Sequence, residues 1–194
     1  MRIVAGEYRG RRVAAPPGTD TRPTTDRVRE AVFSAVASIA GTDLGGGAVL
    51  DAFAGSGALG LEALSRGCSS ATFVERDKRA LATVRANVDV LGAGRRARVI
   101  AGDACSLAGR GGLVGGPFAL LLLDPPYRLA LSEVGAFTSA LAENGQLEPG
   151  AVVVWEHAAG NEPAWDVRFS LATRKRYGTT EVDIAVYGGE SESS

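Results

Sequence analysis

Four acidic residues stand where apolar runs of the chain end: Asp51 after Ala48-Val-Leu, Glu75 after Ala71-Thr-Phe-Val, Asp103 after residues 97–102, and Asp124 after Phe118-Ala-Leu-Leu-Leu-Leu. Between the first two lies Gly55-Ser-Gly57-Ala-Leu-Gly60, a G-x-G-x-x-G loop of the kind that lets backbone approach a nucleotide-like ligand. The loop alone does not separate dinucleotide enzymes from other adenosine binders. Asp51 does, because a carboxylate four residues before Gly55 repels a pyrophosphate and attracts a cation. S-adenosylmethionine carries a sulfonium and an ammonium and no phosphate. Glu75 is placed to accept from a ribose diol and Asp103 from an adenine amine. Taken singly, each acid could simply cap a following helix. Three at successive strand ends form one crevice.

The fourth acid opens Asp124-Pro125-Pro126-Tyr127. Two prolines fix this turn, so the Asp124 carboxylate and the Pro125 carbonyl become two rigid acceptors beside the crevice. An exocyclic base amine offers two hydrogens to such a pair, which turns its lone pair toward a methyl donor. Asp124 could then take the released proton, and Tyr127 offers a flat face for an unpaired or flipped base.

These residues need a scaffold of alternating strands and helices. Apolar runs at 48–51, 71–75, 97–101, 118–124 and 151–155 read as strands, the last following the turn Glu148-Pro-Gly150. Residues 58–66, 78–91 and 129–144 carry helical spacing, as in Leu81, Val84, Val88 and Leu91. The alternation predicts an α/β fold: a Rossmann-like, doubly wound, mostly parallel seven-stranded sheet. Residues 167–172 and 181–187 read as a closing hairpin with Arg174-Lys-Arg176 at its tip. Ahead of the sheet, residues 2–5 and 11–14 flank Gly6-Glu-Tyr-Arg-Gly10 as a small hairpin, and a helix starts at Thr24-Thr-Asp26. The expected division is a hairpin arm over 1–18, a catalytic domain over 19–188 and a disordered tail over 189–194. Removal of the arm is expected to leave a folded core, since no sheet strand goes with it.

The chain has 194 residues and a net charge of −1, but the charge is uneven. Seven arginines (Arg2, Arg9, Arg11, Arg12, Arg22, Arg27 and Arg29) face only Glu7, Asp20 and Asp26 in the first 29 residues, so the rest is acidic. Arginine far outnumbers Lys78 and Lys175 throughout, and compositional drift explains part of this excess. The clustering still reads as an arm facing a polyanion. Two cysteines, Cys68 and Cys105, support neither a disulfide framework nor a zinc site, and no apolar run approaches a membrane span. The charged amino terminus lacks the apolar core of a signal peptide, so the expected setting is cytoplasmic.

Asp51-x-Phe53-x-Gly55-x-Gly57, Val74-Glu75 and Asp124-Pro-Pro-Tyr127 together resemble the class I S-adenosylmethionine-dependent methyltransferases that act on exocyclic amines. Arg2-Ile-Val-Ala-Gly-Glu-Tyr-Arg-Gly-Arg-Arg12 and Arg22-Pro-Thr-Thr-Asp-Arg-Val-Arg-Glu-Ala-Val-Phe33 are similar to the bacterial RsmD family. The resemblance spans nearly the whole chain. It implies methylation of the guanine N2 amine at position 966 of 16S ribosomal RNA, within an assembling 30S subunit, by a monomer. The implied chemistry is direct displacement at the methyl group, without metal or covalent enzyme intermediate. Asp124, Pro125 and Tyr127 would serve catalysis. Asp51, Phe53, Gly55, Gly57, Glu75, Arg76, Asp103, Ala104 and Asp124 would hold the cofactor. Tyr8, Arg9, Arg11, Arg12, Arg22, Arg27 and Arg29 would contact RNA. Tyr8 replaces the tryptophan expected in the hairpin, and the stretch between Trp155 and Val167 is short for a crossover helix.

Three other readings compete. An adenine-N6 DNA methyltransferase shares the chemistry, but no separate recognition domain is evident. Asp51 disfavours an NAD-dependent oxidoreductase, and the complete set of acids disfavours a non-catalytic RNA-binding assembly factor. His157 lacks a nucleophile partner, the cysteines read as small buried residues, and Arg174-Lys-Arg176 could contact RNA or simply sit in solvent.

Overall fold

In the computed structural model, residues 1–16, 26–40 and 46–188 are described. A seven-stranded sheet forms the centre, in the order β3-β2-β1-β4-β5-β7-β6. Strands β1 (Ala48–Asp51), β2 (Ser70–Glu75), β3 (Ala97–Ala101), β4 (Phe118–Leu123) and β5 (Leu147–Ala158) run parallel, as the crossover helices require. Only β7 (Thr180–Tyr187) runs against its neighbours β5 and β6 (Phe169–Tyr177). Leu50, Leu121, Leu122 and Val153 are fully buried, because both sheet faces are covered.

Helices α1 (Asp26–Ala40), α2 (Ala58–Ser65) and α3 (Lys78–Leu91) cover one face; α4 (Ala104–Gly109) and α5 (Leu131–Glu143) cover the other. In α3, Leu81, Val84, Val88 and Leu91 are buried as the helical spacing predicts, and Asp77 caps the helix through Arg79 and Ala80 N–H groups. Helix α1 runs opposite to the strands. Val36 and Ala40 lie beside Gly47, Ala119 and Pro149 at the strands' amino ends, so the first turn of α1 stands at their carboxyl ends.

Several boundaries depart from the sequence reading. Glu148-Pro-Gly150 is not a turn before a strand but lies inside β5. Phe118 pairs with Leu147 and Leu120 with Val152, leaving a bulge that accommodates Pro149 and the positive φ of Gly150. Arg174-Lys-Arg176 is not a hairpin tip: it lies in β6, where Arg174 pairs across the ladder with Asp183, and the turn falls at Gly178-Thr179. No helix joins β5 to β6. Residues 159–168 make the crossing, with Trp165 packed edge-on to Trp155 at 5.3 Å.

The amino-terminal hairpin closes through the Arg2–Arg12 bridge and the Gly10 N–H to Ile3 carbonyl bond. Ile3, Tyr8 and Val13 are buried in the core beneath α1, α2 and α3. Buried Glu62 accepts from the Val4 and Ala5 N–H groups, and Ser65 Oγ accepts from Tyr8 N–H. The expectation that the core folds without the arm therefore needs revision: the hairpin completes this core, and its loss would expose apolar surface and strip buried Glu62 of two backbone donors, leaving it Arg66 at 2.7 Å. Residues 17–25, 41–45 and 189–194 lie outside the described residues, and with them Arg22, the start at Thr24-Thr25 and the expected tail.

Candidate functional site

The carboxyl ends of β1, β2, β3, β4 and β5 converge on one crevice, where open α/β sheets bind ligands. Asp51 closes β1, and its Oδ2 accepts the Gly60 N–H at 2.9 Å. That contact requires α2 to lie close on the sheet. A Cβ at Gly60 would come 2.5 Å from Phe73 and 3.1 Å from the Asp51 Cβ, so the last glycine of the loop motif is a packing necessity. Gly55 and Gly57 take positive φ, 54° and 77°, and a Cβ at Gly55 would meet no atom within 4 Å. Glu75 braces this loop. One carboxylate oxygen accepts from Gly55 N–H and the other from Asp77 N–H, both at 2.8 Å. Each oxygen keeps a lone pair for a further donor, the pattern a vicinal diol would meet.

Asp103 caps α4 through Ser106 N–H and pairs with Arg76 at 3.3 Å. The Ser106 bond, with help from Arg76, holds its carboxyl below the usual range. The cap reading and the ligand reading thus coexist at this residue. Arg76 is exposed at the rim, Ala104 is buried at the start of α4, and half-buried Phe53 meets Phe137 at 6.1 Å, giving the crevice an apolar wall.

Asp51 is buried, and desolvation together with the Glu75 charge pushes its carboxyl up to about 7, against the opposing Gly60 hydrogen bond. Asp124, the residue after the end of the neighbouring strand β4, is likewise driven well above the usual carboxylate range by desolvation and by the charges of Glu156 and Asp51. Its side chain reaches solvent at the crevice mouth, which moderates the shift, but all these influences act in one direction. Strongly perturbed carboxyls in a cleft mark a site that welcomes positive charge. Tyr127 is 69% exposed, with its hydroxyl 3.5 Å from Thr180 Oγ1, so a ring face is open beside Asp124. Among the described residues, no three His, Cys, Asp or Glu side chains are grouped to hold a metal.

The basic arm divides. Arg9, Arg12 and Arg27 are exposed. Arg11 instead donates to the Leu91 carbonyl at 3.0 Å and to that of Val90, tying the hairpin to the end of α3. Two expected RNA contacts are corrected. Arg29 is only 1% exposed and is consumed by the Arg2 carbonyl and by Asp26, because it lies on the core face of α1. Tyr8 is buried under the Arg96 guanidinium, 5.5 Å above its ring, at the amino-edge side of the sheet. It cannot stack a base. His157 is buried against Asp183, which also binds Arg174 and Trp165; this cluster fastens the last strands and does no chemistry at the crevice. Cys68 is buried, and Cys105 is partly exposed on α4. Sequence reasoning overlooked Glu62 and Glu156. The available signal was a lone acid within the apolar Ala58-Leu-Gly-Leu-Glu-Ala-Leu helix and within the apolar Val152-Val-Val-Trp-Glu strand.

Residues 1–186 match the family model described as Conserved hypothetical protein 95. The chain is 38% identical to YlbH of Bacillus subtilis, over 95% of this chain and 97% of that protein. It is 36% identical to ribosomal RNA small subunit methyltransferase D of Escherichia coli, over 99% and 91% respectively. The solved structure of yhhF from Escherichia coli superposes with a TM-score of 0.82 at 36% identity, covering 98% of this chain and 99% of that one.

Proposed function

The chain belongs to the RsmD family of class I methyltransferases, and on that premise we propose that it methylates the N2 amine of a guanine in 16S ribosomal RNA. The target is position 966, reached in the cytoplasm within an assembling 30S subunit. The observation that carries this reading is that Asp124-Pro-Pro-Tyr127 and the Asp51–Gly55 loop leave the carboxyl ends of the adjacent parallel strands β4 and β1.

The residues present fit S-adenosylmethionine. Gly55 leaves open space, Glu75 retains acceptor capacity on both oxygens, and the crevice gathers carboxylates toward a ligand with two cationic groups. Asp51, Phe53, Gly55, Gly57, Glu75, Arg76, Asp103 and Ala104 would hold it. When bound, it supplies an electrophilic methyl group. The rest is positioning. Asp124 and the Pro125 carbonyl accept the two amine hydrogens and direct the nitrogen lone pair across the crevice, while Tyr127 supports the base. Asp124 then takes the amine proton, a task suited to a carboxyl whose affinity for protons is raised first by desolvation and then by the charges of Glu156 and Asp51. Exposed Arg9, Arg12 and Arg27 would contribute phosphate attraction.

The test is mass-spectrometric mapping of 16S ribosomal RNA from a strain lacking the gene, with and without complementation. N2-methylguanosine should vanish at one position and return with the wild-type protein. Its unaltered presence in the deletion strain would exclude this function.

A further inference from the structure

Resting on the guanine-N2 reading above, we infer that Glu156 is the residue that selects guanine, by accepting the N1–H of the target base beside the amine held at Asp124. Strand register places it there. Leu123 of β4 pairs with Trp155 of β5, so Asp124 and Glu156 are the next residues along two adjacent parallel strands. Leu122 and Val154 belong to the core on the α1–α3 face, and continued alternation brings Asp124 and Glu156 to that same face. Glu156 is half-buried at the crevice, and its backbone is fixed on the far side by pairing with Val182 of β7. At this separation the charge of Glu156 acts on the Asp124 carboxyl.

The chemistry follows from the Watson–Crick edges. Guanine presents two adjacent kinds of donor, the N2 amine and N1–H. Adenine and cytosine place a bare ring-nitrogen acceptor next to their exocyclic amine. With Asp124 ionised, as its role as proton acceptor requires, Asp124, the Pro125 carbonyl and Glu156 offer acceptors only. A guanine edge satisfies all of them, whereas an adenine or cytosine edge sets its ring-nitrogen lone pair against the Glu156 carboxylate. Such a mismatch is costly because it leaves polar groups unpaired in a desolvated site. Glu156 thereby excludes the adenine-N6 reaction that an Asp-Pro-Pro-Tyr turn by itself permits.

The test replaces the target guanine of 16S RNA with 2-aminopurine, which keeps the N2 amine but carries an unprotonated N1. Methyl transfer from labelled S-adenosylmethionine is then measured for the wild type and Glu156→Gln. The wild type should lose about 100-fold in kcat/KM on the analogue. Glu156→Gln should lose about 10- to 100-fold on guanine, the scale of one hydrogen bond to a charged group, and its amide can donate to the analogue's N1, so its discrimination should shrink to within about 10-fold. Unchanged S-adenosylhomocysteine affinity in Glu156→Gln reports an intact crevice. A variant that keeps the wild-type guanine-to-analogue ratio overturns the role of Glu156 alone. Absence of N2-methylguanosine in the wild-type reaction overturns the underlying reading as well, so the two failures are distinct.

Discussion

Asp51→Asn should stabilise the ligand-free protein and damage ligand binding at the same time. Asp51 is 1% exposed, and its carboxyl is raised from 3.8 to about 7. A group with a raised folded-state pKa binds protons more tightly in the native state. Its contribution is therefore complete below pH ~4 and is lost as pH rises through about 7. A displacement of about three units corresponds to roughly 4 kcal/mol of ionisation cost at pH 8. Asparagine keeps an oxygen for the Gly60 N–H but carries no charge; its amide leaves a donor to be satisfied, at about 1–3 kcal/mol. The net gain at pH 8 should be about 1–3 kcal/mol, or a Tm rise of roughly 2–10 °C for a chain of this size, and it should disappear near pH 4.5. Thermal unfolding at both pH values measures this, with calorimetry against S-adenosylmethionine expected to show at least ~10-fold weaker binding, the scale of a lost charge-assisted bond. A variant less stable than the wild type by the same amount at both pH values would refute the reasoning.

Other expectations concern the turn and the arm. Asp124→Ala should lower methyl transfer by about 10²–10⁴-fold while S-adenosylhomocysteine affinity stays nearly unchanged; single-turnover kinetics with parallel calorimetry would reveal any failure. Tyr127→Ala should weaken kcat/KM for RNA by roughly 1–3 kcal/mol without altering cofactor affinity, and equal loss of both would argue against base stacking. Deleting residues 1–14 should cost several kcal/mol of stability, since Ile3, Tyr8 and Val13 leave the core at about 1.5–3 kcal/mol per large buried side chain and Glu62 loses two backbone donors while keeping Arg66; an unchanged urea midpoint would show that the hairpin is dispensable. Arg9, Arg12 and Arg27 replaced together by alanine should flatten the log-affinity versus log-salt slope for ribosomal RNA by about two to three, whereas a parallel line would assign these arginines no phosphate contact.

The crevice was legible because its residues sit at strand ends, where apolar run, acid and glycine follow one another in the sequence. Asp51, Glu75 and Asp124 needed no tertiary information beyond the alternation of elements. The hairpin was harder to read. Its arginines and Tyr8 look alike in one dimension, yet Arg29 falls on the inner face of α1, and Tyr8 is roofed by Arg96, 88 residues away in sequence. Nothing local in Gly6-Glu-Tyr-Arg-Gly10 signals that partner. The β6 boundary failed for a similar reason: Arg-Lys-Arg reads as a solvated tip until Asp183 appears opposite Arg174. Pro149 resembled a strand breaker, and only the bulge against β4 reconciles it with β5. Glu156 escaped notice because its meaning depends on register with Asp124, a property of two strands rather than of one segment.

The central claim is that this crevice delivers a methyl group to a guanine amine through Asp124. The most direct measurement incubates purified protein, isotopically labelled S-adenosylmethionine and small subunits from a strain lacking the gene, then identifies the labelled nucleoside by mass spectrometry. The account predicts label solely in N2-methylguanosine at a single 16S position with the wild type, and none with Asp124→Ala. Label in any other nucleoside, or an undiminished signal with Asp124→Ala, would contradict it.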